Sequence, residues 1–406
     1  MVCGVRRAPL SPVRVAVIEN APFGGLLHYA VQLADALAEQ GDDVDLIVPA
    51  GNELAGRDGA ARRCAVLPRG LPPVGAGESR GRLVRRRARS ALARLSGAAT
   101  MVRTVRRGGY DVVVLNGSID LWLSALAAFA LIGLSGGARV VHVCHNVRPF
   151  NRWSGDDLFL SSPLTLALLR RLYPRFDLVF VHGERSRDEF GRTWPGTRLA
   201  VIPHGDERIF CDEAPPPAPE PRALFFGDWR RVKGLPVLMR AFDELAARWP
   251  DARLTVAGAP APEEGEADAV LRWAAERAER VEVIPRYVRL DEVPGLFGRA
   301  RVVVAPYLVG YQSGVVHLAM TMGRAVIATN VGDLGSAVLD GETGRLVAPG
   351  DAAGLAVAME ELLRDPARAE RLGAAGRARV LRASGWPMVA RRARAALAEL
   401  VGSAAG

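Results

Sequence analysis

The chain has 406 residues, 49% of them apolar, which is enough to build the cores of two domains of ordinary size. Its net charge of +9 calls for an anionic partner without naming one, since phosphate, acidic lipid head groups and nucleic acid all qualify. The cysteines (Cys3, Cys64, Cys144, Cys211) are scattered with no C-x-x-C pair, which argues against a zinc site or a disulfide framework and fits reduced thiols in the cytoplasm.

Met1 to Leu10 lacks the apolar core of a signal peptide. Val13 to Ile18 reads as a buried parallel strand, Pro22-Phe23-Gly24-Gly25 as a glycine loop, Leu26 to Gln40 as an amphipathic helix, and Val44 to Val48 as a second strand. This βαβ unit lacks G-x-G-x-x-G, so it is not a dinucleotide fingerprint. A glycine pair lets a ligand approach the backbone; a plain tight turn explains it as well. Pro68 to Gly81 is a loop. In the basic segment that follows, helical spacing puts Val84, Ala88, Ala91, Leu92 and Leu95 on one face and Arg82, Arg85, Arg86 and Arg89 on the other. Such a helix can pack on the protein while offering arginines to anionic lipid or to an anionic acceptor; a solvated basic face is the competing reading. No aromatic residues interleave with the arginines, which argues against nucleic acid.

Tyr110 to Asn116 is a strand ending in a polar loop. The run Leu121 to Leu134 is the longest apolar stretch, short of the roughly 18–20 residues of a membrane span, and reads as a buried helix, with an interfacial segment as the alternative. Three later strands deliver histidines at their carboxyl ends: Ala138 to Cys144 before His145-Asn146, Leu178 to Val181 before His182, and Leu199 to Pro203 before His204. Open α/β sheets place ligand groups at strand ends, which favours His145; His182 and His204 read as cleft walls or turn caps. Asp212 to Pro221 is a proline-rich connector and marks a domain boundary. After it the βα alternation restarts at Ala223 and continues to helices Ala352 to Leu363, Pro366 to Leu381 and Trp386 to Val401. Repeated βα units in both halves predict an α/β protein with two parallel-sheet domains facing across a cleft.

Two stretches carry the chemistry. Gly227-Asp228-Trp229-Arg230-Arg231-Val232-Lys233-Gly234 puts three cations beside two glycines at a strand end; arginine forks onto phosphate oxygens and lysine acts as a point charge. Val302 to Gly335 reads as strand, glycine loop, short helix, strand, glycine loop. Its Gln312-Ser313-Gly314 turn leads into a helix whose free N–H groups and dipole suit an anion.

In order along the chain, Gly24-Gly25-x-x-His28-Tyr29, His145-Asn146, Val201-Ile202-Pro203-His204-Gly205, Gly227 to Gly234 and Asp340-Gly341-Glu342-Thr343-Gly344 resemble the motif series of retaining glycosyltransferases of the GT-B type, in family 4 and the group 1 glycosyl transferases. The resemblance implies two Rossmann-like domains. Residues 1–211 would bind the acceptor, 212–221 would be a linker, 222–385 would bind the nucleotide-sugar, and 386–406 would be a helix crossing back to the first domain. It implies no cofactor and no metal, with a nucleotide-diphosphate-sugar as donor substrate and a sugar, polysaccharide or lipid-linked acceptor. It further implies a part in envelope or polysaccharide synthesis in the cytoplasm, and the basic face of Arg82, Arg85, Arg86 and Arg89 would allow a peripheral place on the inner face of the membrane. By resemblance, His145, Arg230 and Lys233 are catalytic, with Arg230 and Arg231 not separable. Gly24, Gly25, Asn146, Arg231, Gln312, Ser313, Gly314, Val315 and His317 are substrate-binding; His317 would add a contact or face the core.

One departure stands out. Aligned on Ala319-Met320-Thr321-Met322-Gly323, the family's two glutamates fall on Gly310 and Leu318. The chain looks like a subset in which a Gln-Ser-Gly loop replaces the pair. Loss of both carboxylates motivates a second expectation, a transferase-like binding or partner protein with impaired catalysis. A sugar-nucleotide epimerase is a third, weaker on motif order.

Overall fold

The computed structural model describes residues 11–69, 80–119, 122–149, 162–211, 219–261 and 267–402, without the side chains of 80–91 and 94. Two parallel sheets carry the chain. The first runs through β1 (Arg14–Ile18), β2 (Asp43–Pro49), β3 (Arg62–Leu67), β4 (Val112–Leu115), β5 (Arg139–Val143), β6 (Leu178–Val181) and β7 (Leu199–Val201), in the order β3-β2-β1-β4-β5-β6-β7. The second holds β8 (Glu220–Phe226), β9 (Arg253–Ala257), β10 (Val281–Ile284), β11 (Ala300–Ala305), β12 (Ala325–Thr329) and β13 (Arg345–Val347), in the order β10-β9-β8-β11-β12-β13. Strands such as β4 and β12 are buried along their whole length, which is why they read as continuous apolar runs rather than alternating ones.

The helices of the first half are α1 (Gly25–Glu39), α2 (Arg80–Gly108), α3 (Trp122–Leu134), α4 (Pro163–Leu172) and α5 (Glu184–Thr193). Those of the second are α6 (Leu235–Arg248), α7 (Ala267–Ala275), α8 (Val293–Arg299), α9 (Gly314–Thr321), α10 (Leu334–Ala337), α11 (Ala352–Arg364), α12 (Pro366–Ser384) and α13 (Trp386–Gly402). Helix α13 packs on α1, in the first half. Among the described residues no helix is long and apolar enough to cross a membrane.

The strand order reverses between β1 and β4 in the first sheet and between β8 and β11 in the second. Ligands of open parallel sheets bind outside the carboxyl ends of strands at such switch points. The loops after β1, β4 and β5 therefore form one wall of the candidate cleft, and those after β8 and β11 the other.

Several expectations change. Strand β3 is a half-exposed edge strand whose alternation is broken by Arg62 and Arg63, so it left no clear signal. Strand β8 begins at Glu220, inside the proline-rich segment, of which 212–218 lie outside the described residues. Leu92 and Leu95, expected to pack on the protein, are 67% and 57% exposed; α2 is anchored further along, by Met101 and Val105. The side chains of Arg82, Arg85, Arg86 and Arg89 lie outside the described residues. Helix α3 buries Ala125, Ala128 and Leu131 only, and exposes Trp122, Leu126 and Leu134.

Candidate active site

The loop after β8 is built by glycine. Gly227 and Gly258 both have positive φ, and a Cβ at Gly258 would run into the Gly227 carbonyl. Trp229 is fully buried beneath the loop, and its amide donates to the Ala259 carbonyl at 2.9 Å. Gly234, left-handed at φ 71°, starts α6; a Cβ there would strike the carbonyl of Pro306 in the loop after β11. The loops after β8 and β11 thus meet backbone to backbone. Lys233 Nζ lies 3.8 Å from the centre of the Tyr307 ring. Arg230 is half-exposed and pairs through Nε with Asp228 Oδ2 at 2.5 Å, so part of its charge is met within the loop.

Helix α9 opens next to Tyr307. Ser313 is its N-cap: Oγ accepts from the Val316 amide at 3.3 Å and lies 3.2 Å from Tyr307 Oη. The Ser313 side chain is thereby committed to the turn. His317 is buried, donates from Nδ1 to the Ser313 carbonyl at 3.2 Å, and stacks on His204 at 4.9 Å; of its two expected places, it takes the inward one. Leu318 is buried in the core. Gln312 Oε1 is buried with no hydrogen-bond partner among the described residues, and Gln312 is one of the residues, with His182 and His204, that line a cavity of about 140 Å³. Val315 is half-buried beside the same turn.

The opposite wall is a cluster of strand-end groups. His145 Nε2 lies 3.0 Å from Asn116 Oδ1, and His145 Nδ1 lies 3.1 Å from His182 Nε2. Tyr29 of α1 turns ring edges to His145, His182 and His204. Asn146 beside them is exposed. Burial pushes His182 down to about 4 and His145 well below the ordinary histidine value, so both are neutral at pH 7. Glu207, on the segment joining the two halves, is fully buried near Gly314; burial pushes its carboxyl up to about 8, and Gln32 Nε2 donates to it at 3.3 Å. It is therefore protonated at neutral pH. Among the described residues no group of three His, Cys, Asp or Glu is placed to hold a metal ion.

The glycine pair is differently occupied. The Gly24 amide donates to Glu53 Oε1 at 2.5 Å, and the same carboxylate takes His28 Nε2 at 2.7 Å and the Tyr287 hydroxyl at 2.7 Å. Tyr287 belongs to the second half, so Glu53 ties the walls together across the cleft. Two more ties close the other side. The Tyr311 hydroxyl donates to Glu189 Oε1 at 3.0 Å and accepts from the Arg148 amide at 3.2 Å. Asp333 accepts from the Arg185 and Ser186 amides at 3.2 Å each, capping α5 from the other half.

The structure thus gathers Lys233, Arg230, Gln312, Ser313 and Gly314 on one wall and His145, Asn146, Gly24 and Gly25 on the other. Arg231 starts the turn before Lys233. Sequence reading missed Glu53, Asn116, Glu207, Tyr287, Tyr311 and Asp333. Asn116 carried a usable signal, its place at the end of β4. Glu53 and Tyr287 meet across 234 positions of sequence, and nothing local announces that contact.

Two family models match. One, described as Glycosyltransferase Family 4, covers residues 23–205; the other, Glycosyl transferases group 1, covers residues 220–365. The chain is 38% identical to the D-inositol 3-phosphate glycosyltransferase of Arthrobacter sp. strain FB24 over 298 residues, 69% of this chain and 68% of that one. It is 25% identical to the phosphatidyl-myo-inositol mannosyltransferase of Mycolicibacterium smegmatis over 84% of this chain and 82% of the relative. In fold it is similar to sucrose-phosphate synthase from Thermosynechococcus elongatus (TM-score 0.71, 21% identity, 96% of this chain and 99% of the other). It is also similar to Anabaena HepE in complex with UDP and glucose (TM-score 0.68, 16% identity, 95% and 100%).

Proposed function

The chain belongs to glycosyltransferase family 4, within the group 1 glycosyl transferases, and is an enzyme of that class with the two-domain GT-B fold; from this we propose that it moves a hexose-type sugar from a nucleotide-diphosphate-sugar to a lipid-linked, polysaccharide or small-molecule acceptor, with retention at the anomeric carbon. The observation that carries the reading is the packing of the Gly227–Gly234 loop onto the loop before α9. It sets Lys233 over the Tyr307 ring, whose hydroxyl lies beside Ser313 at the start of α9, which supports a cationic rim made by Lys233, Arg230 and the first amides of α9.

The chemistry follows from that rim. As the bond from sugar to diphosphate breaks, negative charge grows on the leaving oxygen. Lys233, Arg230 and the α9 N-terminus are preorganised to meet it, and such donors contribute most where water is excluded. On this reading the diphosphate charge is met without a metal, so turnover persists in EDTA. Gln312, with its unpaired Oε1, is the group we assign to a donor hydroxyl, in the place of the glutamate absent at Gly310. His145 contacts the sugar or positions the acceptor hydroxyl. A peripheral place on an anionic membrane through α2 belongs to the same reading.

A screen of UDP-, GDP- and ADP-sugars by thermal shift and by donor hydrolysis tests it, with the anomeric outcome read by proton NMR. One donor should bind and turn over, and Lys233→Ala should lower its turnover by about 10²-fold, the usual loss for one preorganised oxyanion donor. An unchanged rate in Lys233→Ala would remove that residue from the site. Binding without turnover on any acceptor would favour the impaired-catalysis alternative, to which the buried Leu318 lends support.

A further inference from the structure

His145 and His182 form a hydrogen-bonded pair closed at both ends by acceptors. His182 Nδ1 lies 3.2 Å from the Ile202 carbonyl, His182 Nε2 lies 3.1 Å from His145 Nδ1, and His145 Nε2 lies 3.0 Å from Asn116 Oδ1. The Asn116 amide is fixed in orientation, because its Nδ2 donates to Glu19 Oε2 at 2.6 Å and to the Leu26 carbonyl at 3.0 Å. Its oxygen is therefore the atom His145 meets. A carbonyl and an amide oxygen only accept. Three hydrogen bonds among four ring nitrogens require three N–H groups and one lone pair, whereas two neutral imidazoles supply two N–H groups. In the neutral pair one contact sets lone pair against lone pair. One added proton completes all three.

The surroundings withhold that proton in the empty cleft. Burial disfavours a charged ring at both histidines; His142 disfavours it further at His145 and His317 at His182, while the Ile202 carbonyl opposes the shift at His182. Tyr29, from α1, turns only ring edges to the pair, and Trp386 of α13 packs behind Tyr29. The nearby carboxyls do not bond to either ring. Glu19 reaches the pair only through Asn116, and burial raises its pKa. Glu207 is held by Gln32 and is neutral at pH 7. Asp333, next to Gly183, is engaged by the N–H groups of α5.

Building on the nucleotide-sugar reading, we propose that the His145–His182 pair takes up one proton from bulk water as the anionic donor enters the cleft, and that His182 is the positioning residue that holds it. The diphosphate brings negative charge into a site shielded from water, which offsets the desolvation that keeps the rings neutral. The proton bonds to the unprotonated ring nitrogen and restores the missing hydrogen bond, which fixes the His145 ring with its Nε2–H donating to Asn116 Oδ1. Water can deliver it, because the cavity lined by His182 and His204 extends to Ser336 and Ala383, both exposed. The sign follows by linkage. The pair's pKa is low in the free protein and raised in the complex, so donor affinity falls as pH rises between those two values and is flat below the lower one.

The test is calorimetric titration of UDP-glucose, GDP-mannose and ADP-glucose into the full chain at pH 7, in PIPES and in Tris, whose ionisation enthalpies differ. These sugar diphosphate diesters have no group that titrates near neutrality, so any proton exchanged belongs to the protein. For the donor that binds, the heat should differ between buffers by an amount that corresponds to uptake of about half to one proton. The difference should vanish in His182→Gln, whose amide can donate and accept while staying neutral, with affinity at pH 7 reduced by no more than about tenfold. KM should rise with pH in the wild type and that rise should flatten in the variant, with kcat less affected. Buffer-independent heat in the wild type, or uptake that survives in His182→Gln, overturns the proposal and leaves the transferase reading standing. Failure of all three donors to bind overturns both.

Discussion

Gly314 shows how one position can be decided by space rather than by backbone conformation. Its φ is not in the left-handed region, yet a Cβ there would lie 3.1 Å from Glu207 Oε1 and 3.5 Å from His204 Cε1, both buried on the segment joining the halves. A Cβ there requires the buried Glu207 side chain or the start of α9 to give by a few tenths of an ångström, and a branched side chain requires more. Gly314→Val is expected to weaken nucleotide-sugar binding at least about tenfold and to lower stability by about 1–3 kcal/mol, the usual range for overpacking. Titration calorimetry and denaturant unfolding check the two separately; wild-type affinity in a destabilised variant would show that this turn does not touch the donor. The Gln312-Ser313-Gly314 signal was legible because glycine and a capping serine before an apolar run have a local meaning. The partners that make Gly314 necessary were not, because Glu207 is distant in sequence and looks there like any surface acid.

At the scale of elements, β strands and their histidines were readable because buried parallel strands are unbroken apolar runs ending in turn residues. Helices α2 and α3 were half readable. Periodicity separated an apolar from a basic face on α2 but could not say whether the apolar face is covered. Leu92 and Leu95 are exposed, and Trp122 and Leu126 on α3 and Leu164 on α4 are exposed too, on helices that pack α2 to α3 and α3 to α4. Helix α2 has no acidic residue from Arg80 to Gly108. Exposed apolar side chains on a cationic three-helix layer suit an anionic bilayer, where each basic residue near the surface contributes about 1 kcal/mol. Replacing Arg82, Arg85, Arg86 and Arg89 together with glutamine is expected to lower partitioning onto phosphatidylserine-containing vesicles by 10²-fold or more in co-sedimentation at low salt. Binding that is unchanged, or equal on neutral vesicles, would leave α2 as a solvated basic face.

For the whole molecule, the question is what makes two sheets one cooperative unit. The ties at Glu53–Tyr287, Tyr311–Glu189 and Asp333 with α5 are polar and lie at the rim of the cleft, where a substrate-driven opening could break them. The tie from α13 differs in kind. Trp386 is buried, donates from Nε1 to the Asp206 carbonyl at 2.7 Å, and turns an edge to Tyr29; a Cβ at Gly205 would collide with its ring. Further along the helix Arg394 pairs with the buried Asp42 at 2.9 Å. A helix that follows the second half in sequence thus completes the core of the first, directly behind the strand-end histidines. Trp386→Ala removes the ring that fills this junction and is expected to cost about 3–5 kcal/mol. Because the loss falls between the halves, it should also split one denaturant transition into two. Trp386→Phe keeps the packing but not the Nε1–H donor, and should cost about 1–2 kcal/mol with a single transition retained. A Trp386→Ala variant that unfolds in one step at nearly the wild-type midpoint would mean that the rim contacts, not α13, couple the two halves.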